Sequence, residues 1–313
     1  SALTKATRCF DKGGYIMTHT MKGTARRHRR ITTFDRVNII ILVILSLLFL
    51  YPIVVTISTS ISDPSVMLSS TVYLLPYGFS LEAYKTLLER SNILQYYLNT
   101  ILYAFGGTAI HLFCTSLMAY PLTFRDFRGK KTITVLLTIT MFFSGGLVPS
   151  YINILNLGLR DTYWAIVLPG AISAYEVFVF RTFFSEIPSS LAESAYIDGA
   201  GHFRTLFSII LPLSKALLAT FALFAIVRYW NDYMSALLYL DSSSKHPIQL
   251  FLRKILNTMR MDDIKDYAML QELNKINSRT VQNAAIVITI VPILCVYPFL
   301  QKYFAQGVLV GSI

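Results

Sequence analysis

Apolar runs about as long as a bilayer is thick, separated by short polar stretches, dominate the chain. A hydrocarbon core about 30 Å thick needs roughly 20 apolar residues in a helix. Six segments meet that measure: 37–58, 93–120, 132–155, 163–184, 213–240 and 281–304. The first is almost uniform in Ile, Leu and Val. Others carry breaks: Gly106-Gly107 in the second, Gly145-Gly146 and Pro149 in the third, Pro169-Gly170 in the fourth, Pro292 and Pro298 in the sixth. Such residues are tolerated because neighbouring helices or cavity water satisfy the freed backbone groups. The pattern predicts an all-α polytopic membrane protein of six transmembrane helices. A transmembrane domain would cover 37–313, after a basic extension over 1–36.

Composition agrees with this. Of the 313 residues, 54% are hydrophobic and 14% charged, against roughly 25% charged in soluble domains. Mean hydropathy is +0.53. These values exclude a disordered tail, a disulfide scaffold and a water-soluble enzyme. The net charge of +11 adds orientation rather than a nucleic-acid partner. Nine Lys/Arg lie in residues 1–38, with Arg26, Arg27, Arg29 and Arg30 just before the first apolar run, and no aromatic platform is interleaved. The 121–131 loop holds Arg125, Arg128, Lys130 and Lys131 against Asp126, so it should be cytoplasmic. The segment 60–92 holds more acid than base and should lie outside. Six spans then leave both termini and the 185–212 loop in the cytoplasm, with 241–280 outside. That last segment, with seven basic and five acidic residues, runs slightly against the bias. Residues 1–20 are polar, Met17 or Met21 are candidate starts, and no secretory signal pattern is expected. Cys9, Cys114 and Cys295 are scattered and imply no metal or disulfide framework.

The loop at 185–212 is the informative one. Ser190 and Glu193 have the spacing of a capping box that would start a short helix. Ala192, Ala195, Tyr196 and Gly199 then share one face, small apart from one ring and suited to docking in a groove. Gly199 suits a helix C-terminus, and Pro212 suits the first turn of the fifth span. Taken alone, Glu193 is no more than a helix cap.

The whole spacing says more. Glu193-x-Ala195, three residues, Gly199, nine residues, Ile209-x-Leu211-Pro212 resembles the EAA loop of ABC importer permeases. Ser194 stands where that family usually has a second alanine. Asp198-Gly199-Ala200, Trp230-Asn231 with Tyr233, and the tail from Lys302-Tyr303-Phe304 through Gly307 to Gly311 are similar too, the tail to the carbohydrate-uptake subgroup. The resemblance covers about residue 30 to the end and is strongest to the maltose-type second-permease branch for oligosaccharides. It implies a multi-pass subunit of the bacterial cell membrane with a coupling helix in 185–212. Glu193, Ala195, Tyr196, Asp198, Gly199, Ile209, Leu211 and Pro212 would contact or transmit motion from an ATPase. It further implies a distinct second permease subunit, two cytosolic ATPase subunits, an extracytoplasmic solute-binding protein, membrane lipid around the helices, and a carbohydrate substrate. ATP and magnesium would sit on the ATPases, with no cofactor on this chain.

No catalytic constellation competes with that reading. Gly129-Lys130-Lys131-Thr132 echoes the end of a P-loop, but Phe124 occupies the first glycine position. The histidines are dispersed and no carboxylates pair. Intramembrane polar groups are functional candidates by default, and Glu176, Arg228, Tyr229, Trp230, Asn231 and Asp232 qualify. Two readings stand. Arg228 and Asp232 form a same-helix ion pair one turn apart, or Tyr229, Trp230 and Asn231 line a pathway and offer rings and amides to sugars. Glu176 has Arg181 or a facing subunit as candidate partners, while His111 and Asn99 read as glue between helices. The outer segment 241–280, with an amphipathic stretch at 248–259, reads either as a surface loop or as a binding-protein contact. A second amphipathic helix is expected at 79–94. A permease for another solute, and more distantly a channel or secondary transporter, are the rival functions.

Overall fold

The computed structural model describes residues 32–64, 74–258 and 278–307. Among them every regular element is helical. The chain divides into two compact units, residues 1–50 and 51–313. The described part of the first is the opening of helix α1, Thr33–Ser60. Side chains from 37 to 50 are exposed on all sides. This helix is long and apolar enough to cross a membrane. α1 starts ahead of its apolar run because Thr32 and Asp35 cap it reciprocally. Asp35 Oδ2 accepts the Thr32 N–H and hydroxyl, both at 2.9 Å, and the Asp35 N–H returns to Thr32 Oγ1 at 3.3 Å.

The second unit continues with α2 (Glu82–Arg90), which is shorter than the expected 79–94 helix because Ser91 turns extended. α3 (Ile93–Ile101) and α4 (Gly107–Ala119) join through a wide π turn into one helical stretch, Ile93–Thr123, that matches the second expected span. The third does not survive as one helix. It splits into α5 (Lys130–Phe142) and α6 (Leu147–Asn156), because Phe143 is extended and Gly146 takes φ +82°. The fourth is bent by 54° between α7 (Tyr163–Val167) with its short extension to Gly170 and α8 (Ala174–Glu186). The fifth is α12 (Lys215–Asn231) followed, after a break, by α13 (Met234–Tyr239). α14 (Ile248–Thr258) fills the amphipathic stretch, and α15 (Ser278–Gly307) is the last helix. Between α8 and α12 lie α9 (Ser189–Ile197), α10 (His202–Thr205) and α11 (Leu211–Leu213). Among the described residues, two helices are long and apolar enough to cross a membrane, and up to four if each bent pair is one span.

Three apolar clusters hold the second unit together. α4, α8 and α12 meet around Phe180, Val177, Leu217 and Phe221. α2, α3, α14 and α15 meet around Leu87, Ile248 and Ala284. α7 and α13 pack with Tyr103 and Leu250. Helices in lipid gain nothing from burying apolar surface as such, so close approach decides the packing. Gly107 shows it: a Cβ there would lie 2.8 Å from the Tyr229 ring, so only glycine lets α12 seat its tyrosine on the backbone of α4.

At one end of the helices a polar junction ties the turn before α7 to the turn after α13. Asp161 sits at φ +55°, an uncommon conformation for a residue other than glycine. Its carboxylate accepts the Ser242 hydroxyl at 2.6 Å, the Asp241 and Ser242 N–H groups at 3.1 and 3.0 Å, and the Lys245 ammonium at 2.8 Å. From there the strap runs to α3, where Asn99 donates to the carbonyls of Ser244 and His246 at 2.7 and 3.0 Å, and Thr100 accepts the Ile248 N–H at 2.8 Å. Asn99 thus fastens a turn to a helix. The bonds from Lys245, and after them those from Ser242, hold the Asp161 carboxyl well below the usual carboxylate range. A carboxyl whose pKa is depressed on folding stabilises above its unfolded value near 4, and that contribution is lost as pH falls toward the folded value. Asp161→Asn tolerates the same φ, removes the charge and turns one of the two accepting oxygens into a donor. We expect it to cost about 1 kcal/mol at pH 7, given the partial exposure of the pair. The Tm gap to wild type should narrow as pH falls from 5 toward 3. A gap that is independent of pH would show that the charge is not what matters.

Candidate functional site

The loop between α8 and α12 forms a compact, ordered projection. Pro188 (φ −54°, ψ 126°) turns the chain out of α8 and starts α9 at Ser189. The expected capping box is absent, because Ser190 already lies inside the helix, where its carbonyl accepts the Ser194 hydroxyl at 2.8 Å. The C-terminus is as expected. The Gly199 N–H donates to the Tyr196 carbonyl at 3.0 Å and the Ala200 N–H to the Ala195 carbonyl at 2.8 Å, the two bonds of a Schellman end. That geometry needs the left-handed conformation that Gly199 adopts, φ +78°.

Ala192, Ala195 and Tyr196 do share a face, but it points into the chain. Ala195 is buried, and Ala192 and Tyr196 are half-buried. The Tyr196 hydroxyl lies 3.2 Å from that of Tyr120, at the end of α4, and 2.9 Å from His202 Nδ1. Phe124 packs edge-on against both Tyr120 and His202, with centroids 5.0 and 5.2 Å apart. The small face therefore seats α9 on its own domain. What remains outside is Glu193, Asp198, Gly199, Ile197 (87% exposed) and Phe203 (71% exposed). Tyr120, Phe124 and His202 were missed from the sequence. Their only local mark is that Tyr120 and Phe124 are four residues apart.

Helix α10 runs without a break through a π turn at Leu206–Ile210 into α11. Ile209 and Leu211 are half-buried along it and Pro212 is exposed. Pro212 does not open the fifth span. It ends a separate helical arm, His202–Leu213, which meets α12 at 84°. Ser214 makes the corner: fully buried, it donates its N–H and hydroxyl to the Ile210 carbonyl at 3.0 and 2.8 Å.

The intramembrane candidates divide into two groups. The first surrounds the bend of the fourth span, where the broken helix frees carbonyls. Val167 O accepts the Tyr229 hydroxyl at 3.2 Å, and Gly170 O accepts Arg228 Nη2 at 3.0 Å, with His111 Nδ1 2.9 Å away. His111 Nε2 is 2.5 Å from Glu176 Oε2. Glu176 therefore pairs with His111 and not with Arg181. Arg228 serves the bend, so the same-helix pair with Asp232 does not form; Asp232 Oδ1 instead accepts the Ser235 N–H at 3.0 Å and caps α13. A carbonyl only accepts, so His111 Nδ1 carries hydrogen. One further hydrogen must sit between Nε2 and Oε2, which makes the pair neutral overall whichever atom holds it. His111 is helix–helix glue, as expected.

The second group is Trp230 and Asn231. Trp230 is buried beside Tyr97, with centroids 6.4 Å apart. Asn231 is exposed and accepts from Gln249 Nε2 at 3.2 Å.

The chain is 39% identical to the polygalacturonan/rhamnogalacturonan transport system permease protein YtcP of Bacillus subtilis (strain 168) over 286 residues, 90% of this chain and 98% of that one. It is 38% identical to the protein LplC of the same strain over 305 residues, 94% and 98% of the two chains. A solved chain of a bacterial ABC transporter involved in the import of the acidic polysaccharide alginate superposes with TM-score 0.79 and 32% identity, covering 87% of this chain and 96% of that one. Residues 23–310 match the family described as the binding-protein-dependent transport system inner membrane component. The chain belongs to that family and is a membrane permease with the ABC importer permease fold.

Proposed function

We propose that this chain is one of two permease subunits of an ATP-driven importer for an oligosaccharide, with six spans and both termini in the cytoplasm. The observation that carries the coupling part is the construction of the 185–212 loop. A helix bounded by Pro188 and the Gly199 turn, held by Tyr120 and His202, connects through an unbroken arm to the corner at Ser214. Such a piece moves as a body. Its exposed Glu193, Asp198, Ile197 and Phe203 are the surface that a cytosolic ATPase would grip, and α12 is the helix that the motion would reach. A bistable packing of helices turns that push into alternating access. The ATP and magnesium belong to the two ATPase subunits. A second permease completes the pathway, and an extracytoplasmic binding protein delivers the solute. The oligosaccharide class follows from the substrates named for its relatives.

The test is purification from native membranes, identification of the co-purifying chains, and uptake by vesicles containing them. We expect an ATPase pair, a second permease and a binding protein, with uptake of oligosaccharide only when ATP is present. Transport by this chain without any ATPase would overturn the reading.

A further inference from the structure

Beyond the loop and the bend, one exposed polar row runs from α12 to α14. Arg228 and Asn231 lie one turn apart on α12, and Gln249 and Arg253 one turn apart on α14. One bond joins the two helices, and a second contact reaches the turn after α12. Asn231 Oδ1 accepts from Gln249 Nε2 at 3.2 Å, and the Arg253 guanidinium lies over the Tyr233 ring at 5.3 Å. Arg228, Asn231 and Arg253 are exposed, Gln249 and Tyr233 half-buried. Among the described residues no carboxylate lies within 4 Å of either guanidinium. The carboxylate within the row, Asp232, is taken up by the N–H of Ser235.

We propose that this row is a binding site for an acidic sugar unit, a uronate, of the transported oligosaccharide; the proposal rests on the importer reading above. The chemistry matches part by part. A guanidinium offers a planar fork to a carboxylate. Arg253 keeps its N–H groups free of carboxylate, and Arg228 spends one of five on Gly170 O. The Asn231 and Gln249 amides each keep donors or acceptors for hydroxyls after bonding to one another. The half-exposed ring of Tyr233 offers an apolar face to a pyranose. A neutral sugar offers these guanidinium groups no charged acceptor, whereas a uronate offers its carboxylate.

Arg253 is the clean probe, because Arg228 also holds the bend. The experiment uses the whole importer in liposomes and compares an oligogalacturonate with its methyl ester of the same length. The readout is the ratio of kcat/KM for the acid to that for the ester, in which general effects on assembly or lipid contact cancel. We expect Arg253→Gln to lower that ratio about tenfold, the equivalent of one charged hydrogen bond, and Arg253→Lys to recover part of it. An unchanged ratio overturns the proposal, including the case in which both substrates slow equally because Arg253 meets lipid phosphate or the second permease. If wild-type vesicles show ATP-driven uptake of a neutral oligosaccharide but not of the acid, the uronate site is wrong and the importer reading stands. If they take up no oligosaccharide at all, both fall.

Discussion

Glu193→Lys and Gly199→Asp are expected to abolish ATP-driven uptake while the chain still inserts and assembles. Glu193 is exposed on α9 and has no hydrogen-bond or ion-pair partner among the described residues, so the internal packing does not depend on it. Lysine is as good a helix former as glutamate. The substitution therefore changes only what α9 presents to another protein, and it inverts a charge there. Gly199 acts through the backbone. A Cβ at this position meets nothing within 4 Å, so no clash arises. The cost is the left-handed conformation, about 1–2 kcal/mol for an L-residue. It falls on the Schellman bonds that aim the end of α9, and Asp adds a second charge beside Asp198. We expect uptake to fall to background, roughly a hundredfold or more, with ATPase activity no longer stimulated by the loaded binding protein. Gly199→Ala isolates the backbone term and should give a partial loss. The checks are uptake, ATPase rate and the amount of chain in the membrane fraction. Normal uptake by both charged variants would remove the loop from the coupling mechanism.

The second large effect lies at the bend of the fourth span. His111→Ala removes both a partner of Glu176 and a contact of the Gly170 carbonyl. His111 is fully buried and the Glu176 side chain is 15% exposed. Removing one member of such a pair strands the other, at roughly 3–5 kcal/mol. Glu176→Gln is the informative companion. Its amide can still donate to Nε2 while Nδ1 keeps its hydrogen toward Gly170, so we expect a loss of less than about 1 kcal/mol. The predicted order of Tm for the purified complex is wild type, then Glu176→Gln, then Glu176→Ala, with His111→Ala lowest. If Glu176→Gln is as damaging as His111→Ala, the pair does more than satisfy hydrogen bonds.

Both predictions mark where sequence reasoning stopped. The loop spacing picked out α9, its glycine end and its exposed glutamate, because capping and helical faces are local. It also put a small face outward that the structure turns inward. Small residues permit close packing equally well against a partner or against one's own chain. Glu176 was identified as a costly intramembrane group, yet its partner lies 65 residues away on α4. Arg228 and Asp232 had the spacing for a pair, but a free carbonyl at a broken helix and an uncapped α13 were closer matches for each.

From sequence alone came the helices, their apolar content, the membrane and the loop that resembles an ATPase dock, since each depends on neighbours within a turn or two. Only the tertiary structure decided how spans break, which face of α9 is free and where the corner at Ser214 falls. It also decided which residues answer the carbonyls at the bend, and that Asn231 of α12 meets Gln249 of α14. The reason is physical. A helix apolar on every side has no preferred face in its sequence. In lipid, orientation is therefore chosen by glycine contacts and by scarce polar groups finding one another across many residues.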